Sequence, residues 1–284
     1  MMRWAVVGAG GMLGKELVNS LGAAGQTVNG FTRANLDVEN SVDDLVARLS
    51  GAEVIVNCVA YTAVDKAESE LFEASKVNGI YAGKLAQAAA KVGAKFIHIS
   101  TDYVFDGLAS EPYRKSDEPN PQSAYGESKF VGEQLVADSG ANYAILRTSW
   151  LYGEHGRCFP KVIAGLLRER ESISVVSDQI GAPTWTKDLA EVIIDHGLNN
   201  HQERIIHAVA SGQGSWFDFA VEIQKFLPGL DEKTLVPIST KEYPTPAKRP
   251  AWSVLDNTET EGLIIGDWRE RWQIAAPEVL REFL

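Results

Sequence analysis

The sequence predicts an α/β fold, a doubly wound parallel sheet combined with a smaller interleaved α/β domain, on three observations. Residues 3–8 form an apolar run that leads directly into a glycine-rich loop. Apolar strand patterns then alternate with helical patterns as far as residue 150. Beyond that point prolines and tryptophans become common and the helical patterns are isolated. Repeated strand–helix units of this kind imply a parallel sheet with helices on both faces.

Each predicted element follows from its apolar pattern. The continuous apolar runs at residues 3–8 and 54–60 are typical of strands buried on both faces. Further strands are predicted at residues 27–32, 95–101 and 143–148, and helices at residues 13–24, 72–92, 122–139 and 188–196. We expect the helix at 188–196 and residues 207–210 to rejoin the first domain after the chain has left it. The predicted domains are residues 1–152 with 184–210, and residues 153–183 with 211–284.

Composition and charge limit the compartment and the partners. The chain has 284 residues, of which 45% are hydrophobic and 23% charged, as in ordinary globular proteins. It has no apolar run of about 18 residues and no signal-peptide pattern before the first strand, so we expect no membrane association. The two cysteines, Cys58 and Cys158, lack metal-ligand spacing and favour a reducing, cytoplasmic compartment. A net charge of −11 argues against nucleic acid as a partner.

The loop between the first strand and the first helix predicts a dinucleotide site. It comprises Gly8, Ala9, Gly10, Gly11, Met12, Leu13 and Gly14. Glycines at the first, fourth and seventh of these positions allow a tight turn, close approach to a pyrophosphate and close helix–strand packing. The helix N-terminus then offers free N–H groups and a partial positive charge. An ordinary glycine-rich turn is the alternative, but a position that opens a strand–helix unit favours a Rossmann-type cofactor site.

The end of the second predicted strand favours NADPH as the cofactor. NAD-selective sites place an Asp or Glu there to hold the ribose hydroxyls. This chain has Phe31-Thr32-Arg33 instead, and an arginine beside a hydroxyl suits a 2′-phosphate. Asp37 and Val38, just beyond, are expected along the adenine ring. Use of NADH stays possible, because Arg33 can also be read as a solvated surface residue.

Tyr125 and Lys129 are the predicted proton-donating pair. Their i, i+4 spacing places both on one helix face, where the ammonium is expected to lower the tyrosine pKa. On spacing alone such a pair is close to a chance event in a chain with eight tyrosines. Its weight comes from position, since the preceding strand ends in Ser100-Thr101, at the sheet edge where ligands bind. We predict Thr101 as the second donor to a carbonyl oxygen, in preference to Ser100.

Several segments together resemble one family over almost the full length of the chain. They are residues 57–68 (Asn-Cys-Val-Ala-Tyr-Thr-Ala-Val-Asp-Lys-Ala-Glu), 100–107 (Ser-Thr-Asp-Tyr-Val-Phe-Asp-Gly), Tyr125-x-x-x-Lys129, 147–153 (Arg-Thr-Ser-Trp-Leu-Tyr-Gly), 178–184 (Asp-Gln-x-Gly-x-Pro-Thr) and Arg249-Pro250. In these the chain resembles the dTDP-4-dehydrorhamnose reductases, of the extended short-chain dehydrogenase/reductase superfamily. The resemblance implies NADPH-dependent reduction of the C4 ketone of dTDP-6-deoxy-L-lyxo-4-hexulose to dTDP-L-rhamnose. It also implies a Rossmann-type cofactor domain and a smaller substrate domain.

The resemblance also assigns roles to individual positions. It implies a catalytic trio of Thr101, Tyr125 and Lys129, and a cofactor border that adds Ala60, Tyr61 and Thr62. It implies a substrate pocket formed by Thr62, Val64, Thr101, Asp102, Tyr103, Trp150 and Arg249. Physical chemistry agrees, because Trp150 can offer an apolar face to a pyranose ring and Arg249 can bind a diphosphate bidentately. The plainer readings are a core tryptophan and a solvated arginine.

Two departures from the family pattern affect the expected metal and substrate contacts. Some relatives dimerise around magnesium held by carboxylates, and the matching positions here are Glu16, Lys187 and Glu191. An ammonium cannot ligate magnesium, so we predict no metal and either a monomer or a metal-independent homodimer. Cys158 stands where the family often has Asn, which puts one hydrogen bond to the substrate in doubt.

Other functions remain open on sequence alone. A reductase of another dTDP-4-ketosugar is the main alternative, because no residue distinguishes it. A non-catalytic, nucleotide-binding regulatory subunit is disfavoured, since Tyr125 and Lys129 are intact. A dehydratase commonly has Glu after Thr-Asp, where this chain has Tyr103, and an epimerase would consume no NADPH.

Overall fold

The computed structural model describes residues 1–230 and 233–284. Its strands are β1 Arg3–Val7, β2 Thr27–Phe31, β3 Val54–Asn57, β4 Lys95–Thr101, β5 Asn142–Thr148, β6 Leu151–Tyr152, β7 Ser172–Val176, β8 Ile180–Gly181, β9 Thr184–Trp185, β10 Ile205–His207, β11 Ala210–Ser211, β12 Gly214–Ser215, β13 Thr234–Ile238 and β14 Ile265–Asp267. Six of them form one parallel sheet in the order β10-β5-β4-β3-β1-β2. The predicted fold class, a doubly wound parallel sheet, is confirmed.

The order of the strands determines where a ligand can bind. From β1 the chain goes outward to β2 and then returns to β3 on the other side of β1. The loops that follow β1 and β3 therefore diverge, and they leave a crevice at the carboxyl edge of the sheet. This is the edge at which the glycine-rich loop and Thr101 both emerge.

Helices cover both faces of the sheet. They are α1 Met12–Ala23, α2 Val42–Leu49, α3 Val64–Ala67, α4 Leu71–Ser75, α5 Tyr81–Val92, α6 Ala124–Ala137, α7 Phe159–Glu169, α8 Thr186–Leu198, α9 Trp216–Gln224 and α10 Trp268–Val279. Along β1, Trp4 and Val6 point into one apolar cluster, whereas Ala5 and Val7 point into the other. Because both faces of the strand are buried, its sequence is apolar without alternation.

The predicted helix at residues 72–92 is interrupted. It consists of α4, a π-helical turn at Lys76–Ile80 and α5. Within the turn, Asn78 accepts from the Tyr61 amide at 2.8 Å and donates to the Ser128 hydroxyl at 2.9 Å. A Cβ at Gly132 of α6 would overlap the Asn78 carbonyl oxygen. The extra residue per turn thus brings Asn78 between α6 and the loop after β3, as π-turns often do near functional sites.

The strand predicted at residues 54–60 ends early. β3 stops at Asn57, whose side chain accepts the Val59 amide at 3.0 Å and turns the chain away from the sheet. Residues 58–60 therefore lie in the loop that lines the crevice.

The chain after β5 is organised differently. Its strands, apart from β10, form two-stranded pairs: β6 with β9, β7 with β13, β8 with β12, and β11 with β14. α7 packs on α9, and the fully buried Trp268 and Trp272 of α10 contact Phe219 of α9. No helix in the described residues is long and apolar enough to cross a membrane.

Candidate active site

Two cavities lie on either side of the glycine-rich loop. The larger, about 680 Å³, is bordered by the ends of β4 and β5 and by α6, and Gly10 through Gly14 form one side of it. The smaller, about 410 Å³, lies beyond the end of β2. Val59 and Ala60 border both cavities, so the two spaces are neighbours along one crevice.

The glycine-rich loop has the geometry that a pyrophosphate needs. Gly8 has φ +91°, and a Cβ there would lie 2.8 Å from the carbonyl carbon of Cys58. A Cβ at Gly14 would overlap the Gly8 carbonyl oxygen, so only glycine lets α1 pack this closely on the loop. Gly11 caps α1 without a side-chain hydrogen bond, which leaves the first N–H groups free for an anion. These residues fit a dinucleotide.

The smaller cavity contains the residues predicted to select the cofactor. Thr32, Arg33, Asp37, Val38 and Tyr61 all line it, together with Gly8 and Ala60. The Arg33 side chain is 89% exposed and its Nη2 lies 3.9 Å from Glu39 Oε1, so the guanidinium is free to turn towards a 2′-phosphate. The Asp37 carboxylate accepts the Glu39 amide at 3.0 Å and is held by the backbone.

Thr101, Tyr125 and Lys129 all line the larger cavity. Thr101 ends β4, and its hydroxyl donates to Asp102 Oδ1 at 2.9 Å while accepting the Tyr103 amide at 3.2 Å. Ser100, in contrast, donates its hydroxyl to Glu133 Oε1 at 2.5 Å. Both hydroxyls thus have a carboxylate partner, Ser100 on Glu133 and Thr101 on Asp102.

The start of α6 is placed by close backbone contact. Ser123 caps the helix by accepting the Gly126 amide at 3.2 Å. A Cβ at Gly126 would overlap the Tyr103 carbonyl oxygen, so glycine lets the first turn lie against the segment after β4. The Tyr103 and Tyr125 rings meet edge to face with centroids 5.5 Å apart. These contacts bring Tyr125 beside Thr101.

The predicted electrostatic effect of Lys129 on Tyr125 is wrong for this structure. Burial raises the pKa of Tyr125 to about 12, and only the nearby Thr101 hydroxyl acts in the opposite direction. The Lys129 ammonium is turned away and donates to the Ile99 carbonyl at 2.6 Å. Burial also lowers the pKa of Lys129 to about 8. The phenol therefore keeps its proton at neutral pH, which is the form that can donate.

A buried ion pair supports the site from behind. Arg147 of β5 donates from Nε and Nη2 to the two oxygens of Glu133 at 3.0 and 2.7 Å. Both side chains are almost completely buried, and Glu133 lies one helical turn after Lys129 on α6. Glu133 thus connects Ser100, Arg147 and the Lys129 face of the helix, although sequence reasoning gave it no role.

Trp150 lines the larger cavity, but other parts of the chain pack against its indole ring. The Trp216 indole stacks on it with centroids 3.6 Å apart and an interplanar angle of 7°. A Cβ at Gly181 would lie 2.6 Å from Trp150 Cε2, so the backbone there also packs on the indole. Trp150 has φ +47°, the only positive φ of a non-glycine residue in the described chain. Sequence reasoning missed Trp216, because nothing local links positions 66 residues apart.

The other predicted substrate residues divide into two groups. Thr62, Val64, Asp102 and Tyr103 line the larger cavity. Arg249 does not: its Nη2 donates to Asp65 Oδ2 at 2.9 Å, and its Nη1 is buried without a partner among the described residues. Arg249 is therefore partly buried, with 20% of its side chain exposed, and lies outside the lining of the larger cavity. Asp65 lies in the matched segment 57–68, yet its pairing with Arg249 was not predicted.

The residues matched to a magnesium site are differently engaged. Lys187 Nζ lies 3.5 Å from Glu278 Oε2, and the Glu16 carboxylate accepts the Ser20 hydroxyl at 3.2 Å. Burial raises the pKa of Glu16, with the Lys187 ammonium acting against that rise. Cys158, at the start of α7, donates weakly to the Gly153 carbonyl at 3.6 Å and provides no side-chain cap.

Comparison with known proteins agrees with this geometry. The family model of the RmlD substrate binding domain matches residues 2–284. A dTDP-4-dehydrorhamnose reductase of Burkholderia thailandensis is 40% identical over 94% of this chain and 96% of its own length. A probable dTDP-4,6-dihydroxy-2-methyloxan-3-one 4-ketoreductase of Streptomyces antibioticus is 38% identical over 98% of this chain and 96% of its own. The crystal structure of a Bacillus anthracis dTDP-4-dehydrorhamnose reductase in complex with NADP, 36% identical, superposes with a TM-score of 0.90 over 96% of this chain and 98% of that one.

Proposed function

This chain belongs to the family of the RmlD substrate binding domain, and we propose that it is an NADPH-dependent reductase of a dTDP-linked 4-ketosugar. The substrate is dTDP-6-deoxy-L-lyxo-4-hexulose, and reduction of its C4 ketone gives dTDP-L-rhamnose, the last step of dTDP-rhamnose synthesis. The observation that carries the proposal is that Thr101, Tyr125 and Lys129 line the same cleft as the glycine-rich loop. The Burkholderia relative supports this substrate.

The cofactor assignment follows from the two cavities. The glycine-rich loop and the start of α1 hold the pyrophosphate, the smaller cavity takes the adenosine end, and Arg33 pairs with the 2′-phosphate. Lys129, at the floor of the larger cavity, holds the nicotinamide ribose. NADPH when bound supplies a hydride to the ketone carbon, and NADH is a weaker substitute. The relative that binds NADP supports this choice.

The proton for the new hydroxyl comes from Tyr125. Because its pKa is raised to about 12, the phenol is protonated and can deliver its proton to the C4 oxygen. Thr101 stabilises the charge that develops on that oxygen when its hydroxyl proton turns from Asp102 towards the ketone. Lys129, which donates to the Ile99 carbonyl, acts through the cofactor ribose and not through the phenolate. One hydride and one proton complete the alcohol.

Sugar recognition belongs to the opposite side of the cleft. Thr62, Val64, Asp102, Tyr103 and Trp150 form the pocket for the deoxysugar. Arg249 turns its unpaired Nη1 towards the cleft to bind the diphosphate, while Nη2 stays on Asp65. Residues 1–152 with 184–210 form the cofactor domain, and residues 153–183 with 211–284 form the substrate domain. The enzyme acts in the cytoplasm as a monomer or a metal-independent homodimer, without nucleic acid or membrane.

The decisive experiment is an assay of the purified protein with dTDP-6-deoxy-L-lyxo-4-hexulose made in situ. We expect stoichiometric loss of NADPH absorbance and dTDP-L-rhamnose as the product in NMR spectra. A parallel reaction with NADH measures cofactor preference. If NADPH is not consumed while a known reductase consumes it under the same conditions, the proposal is wrong.

A second candidate is reduction of another dTDP-linked 4-ketosugar, which the Streptomyces antibioticus relative favours. The same assay with dTDP-4-keto-6-deoxy-D-glucose separates the two functions. A higher kcat/KM for this compound, with the product identified by NMR, would replace the rhamnose assignment and leave the catalytic residues unchanged.

A further inference from the structure

A cluster of three potential metal ligands lies far from the cleft. Asp195 and His196 are at the end of α8, and His201 follows in the segment that leads to β10. Lys95, the first residue of β4, donates its ammonium to the His196 carbonyl, so the cluster lies at the amino edge of the sheet. Thr101 ends the same strand about 20 Å away. The cluster therefore has no part in the site described above.

The three side chains converge on one point. Their ligand atoms all lie within 4.8 Å of one another. His201 Nε2 is 2.9 Å from Asp195 Oδ2, and the two imidazole rings have centroids 4.6 Å apart. Two imidazole nitrogens and one carboxylate oxygen are a donor set that suits a divalent transition metal, particularly zinc.

His196 provides independent support for a ligand at this cluster. Its side chain is completely buried, and neither ring nitrogen has a hydrogen-bond partner among the described residues. A buried polar atom without a partner costs about 1–3 kcal/mol, and such atoms are rare in folded proteins. The Glu261 backbone lies beside the ring and can anchor one nitrogen, which leaves the other for a ligand.

The surroundings hold the cluster in place. Asp195 Oδ1 accepts from the Asn199 amide at 2.6 Å, and Oδ2 accepts from the Leu263 backbone at 3.1 Å. The Glu261 carboxylate lies 3.9 Å from His201 Nδ1, on the side away from Asp195. A carboxylate behind a ligating histidine is a common outer contact in zinc sites. Asp195 also balances the positive charge of Lys95.

A glycine allows a distant part of the chain to close over the cluster. Gly262 has φ +86°, and a Cβ there would lie 2.9 Å from His201 Nε2 and would overlap Asp195 Oδ2. The 261–263 segment can therefore approach the ligands only with a glycine at this position.

We propose that Asp195, His196 and His201 bind one Zn²⁺ ion, with solvent as the fourth ligand. The ion replaces the hydrogen bond between His201 and Asp195 and satisfies a buried nitrogen of His196. It joins the end of α8 to the 261–263 segment, and so connects the cofactor half of the molecule to the C-terminal region. The role is structural, because none of the three ligands borders either of the two cavities described above.

The test is Zn²⁺ titration of the full chain after chelation and removal of metal, followed by calorimetry and thermal unfolding. We expect one equivalent of tightly bound Zn²⁺ and, at 100 times the dissociation constant, a rise in Tm of roughly 5–10 °C. Mg²⁺ should have no effect, because hard cations prefer oxygen ligands. Co²⁺ should give the intense visible absorption of a tetrahedral site.

Asp195→Asn and His201→Gln are the informative variants, since both can keep a hydrogen bond between the two positions and fold without metal. Each should lower Zn²⁺ affinity at least about tenfold, as even the loss of outer-sphere partners does. His155→Gln, which removes a half-buried histidine elsewhere, should leave affinity unchanged. Absence of stoichiometric binding would overturn the proposal. Binding that survives the Asp195→Asn/His201→Gln double variant, or that His155→Gln abolishes, would overturn it equally.

Discussion

The two sides of the cleft are built in different ways. One side, the catalytic wall, consists of Ser100, Thr101, Tyr125, Lys129, Glu133 and Arg147. These residues come from β4, α6 and β5, and buried hydrogen bonds connect Ser100, Glu133 and Arg147. The other side, the recognition wall, consists of Trp150 and Trp216 at the cavity surface and of Arg249 just outside its lining.

The contacts of the recognition wall join distant parts of the chain. Trp150 stacks on a residue of α9, and Arg249 pairs with Asp65, 184 residues away. The catalytic wall is therefore set by one half of the fold, whereas the recognition wall depends on how two parts of the chain meet. Changes in the first should affect turnover and stability, and changes in the second should affect substrate binding.

The largest effect is expected from Tyr125→Phe. Loss of the proton donor should lower kcat by about 10²–10⁴-fold, with KM for the sugar nearly unchanged, because the phenol acts on the transition state. Steady-state kinetics at saturating NADPH give both constants. Unchanged thermal unfolding of the variant excludes misfolding as the cause. Full activity of the variant would show that the proton comes from elsewhere.

Glu133→Gln should cause the next largest effect, which is a loss of stability. The substitution leaves the Arg147 guanidinium buried and without a charged partner, which should lower the free energy of unfolding by about 3 kcal/mol. Urea denaturation followed by circular dichroism measures it. Glu127→Gln, on the exposed face of the same helix, should have little effect.

Glu133→Gln should also change the pH dependence of kcat/KM. The Glu133 charge helps to keep the Lys129 pKa near 8 against burial. Without that charge the pKa falls further, so Lys129 loses its proton at lower pH. The alkaline limb of the kcat/KM profile should therefore move towards neutral pH. An unchanged alkaline limb would show that the protonation of Lys129 does not control kcat/KM.

Trp216→Ala tests the recognition wall. Removal of the stacked ring leaves Trp150 unsupported and should raise the KM of the sugar about tenfold, with a smaller change in kcat. Trp216→Phe, which keeps an aromatic ring against Trp150, should retain most of the affinity. A fall in kcat with constant KM would instead place Trp216 with the catalytic wall.

The smallest effect is expected from Arg33→Ala. The KM for NADPH should rise at most about fivefold while that for NADH stays constant, because an exposed ion pair is weak and only NADPH has the 2′-phosphate. Arg48→Ala, a similarly exposed arginine outside both cavities, serves as the control. An unchanged KM for NADPH would remove Arg33 from the cofactor site.

Thr101, Tyr125 and Lys129 of the catalytic wall could be predicted because their information is local, whereas the support from Glu133 could not. The apolar run of β1, the glycine-rich loop and the i, i+4 spacing on α6 each depend on neighbours in sequence. The direction of the Lys129 side chain could not be predicted, since it depends on burial and on the Ile99 carbonyl. The spacing alone therefore suggested a lowered Tyr125 pKa, whereas burial raises it.

The recognition wall was predicted only in part. Trp150 was placed in the pocket by resemblance, but its partner Trp216 and the pairing of Arg249 with Asp65 depend on the meeting of distant segments. No periodicity in one segment contains that information. The π-turn at Lys76–Ile80 was not predicted for the same reason. It depends on hydrogen bonds of Asn78 to residues on α6 and after β3.

The contact between Gly181 and Trp150 has a consequence for how such chains diverge. Because a Cβ at position 181 would lie 2.6 and 2.7 Å from two atoms of the indole, any residue other than glycine there would clash with Trp150. A larger residue at 181 requires a smaller or displaced side chain at 150. Lineages that reshape this pocket for a different sugar should therefore alter the two positions as a pair, and their joint replacement would mark a change of substrate.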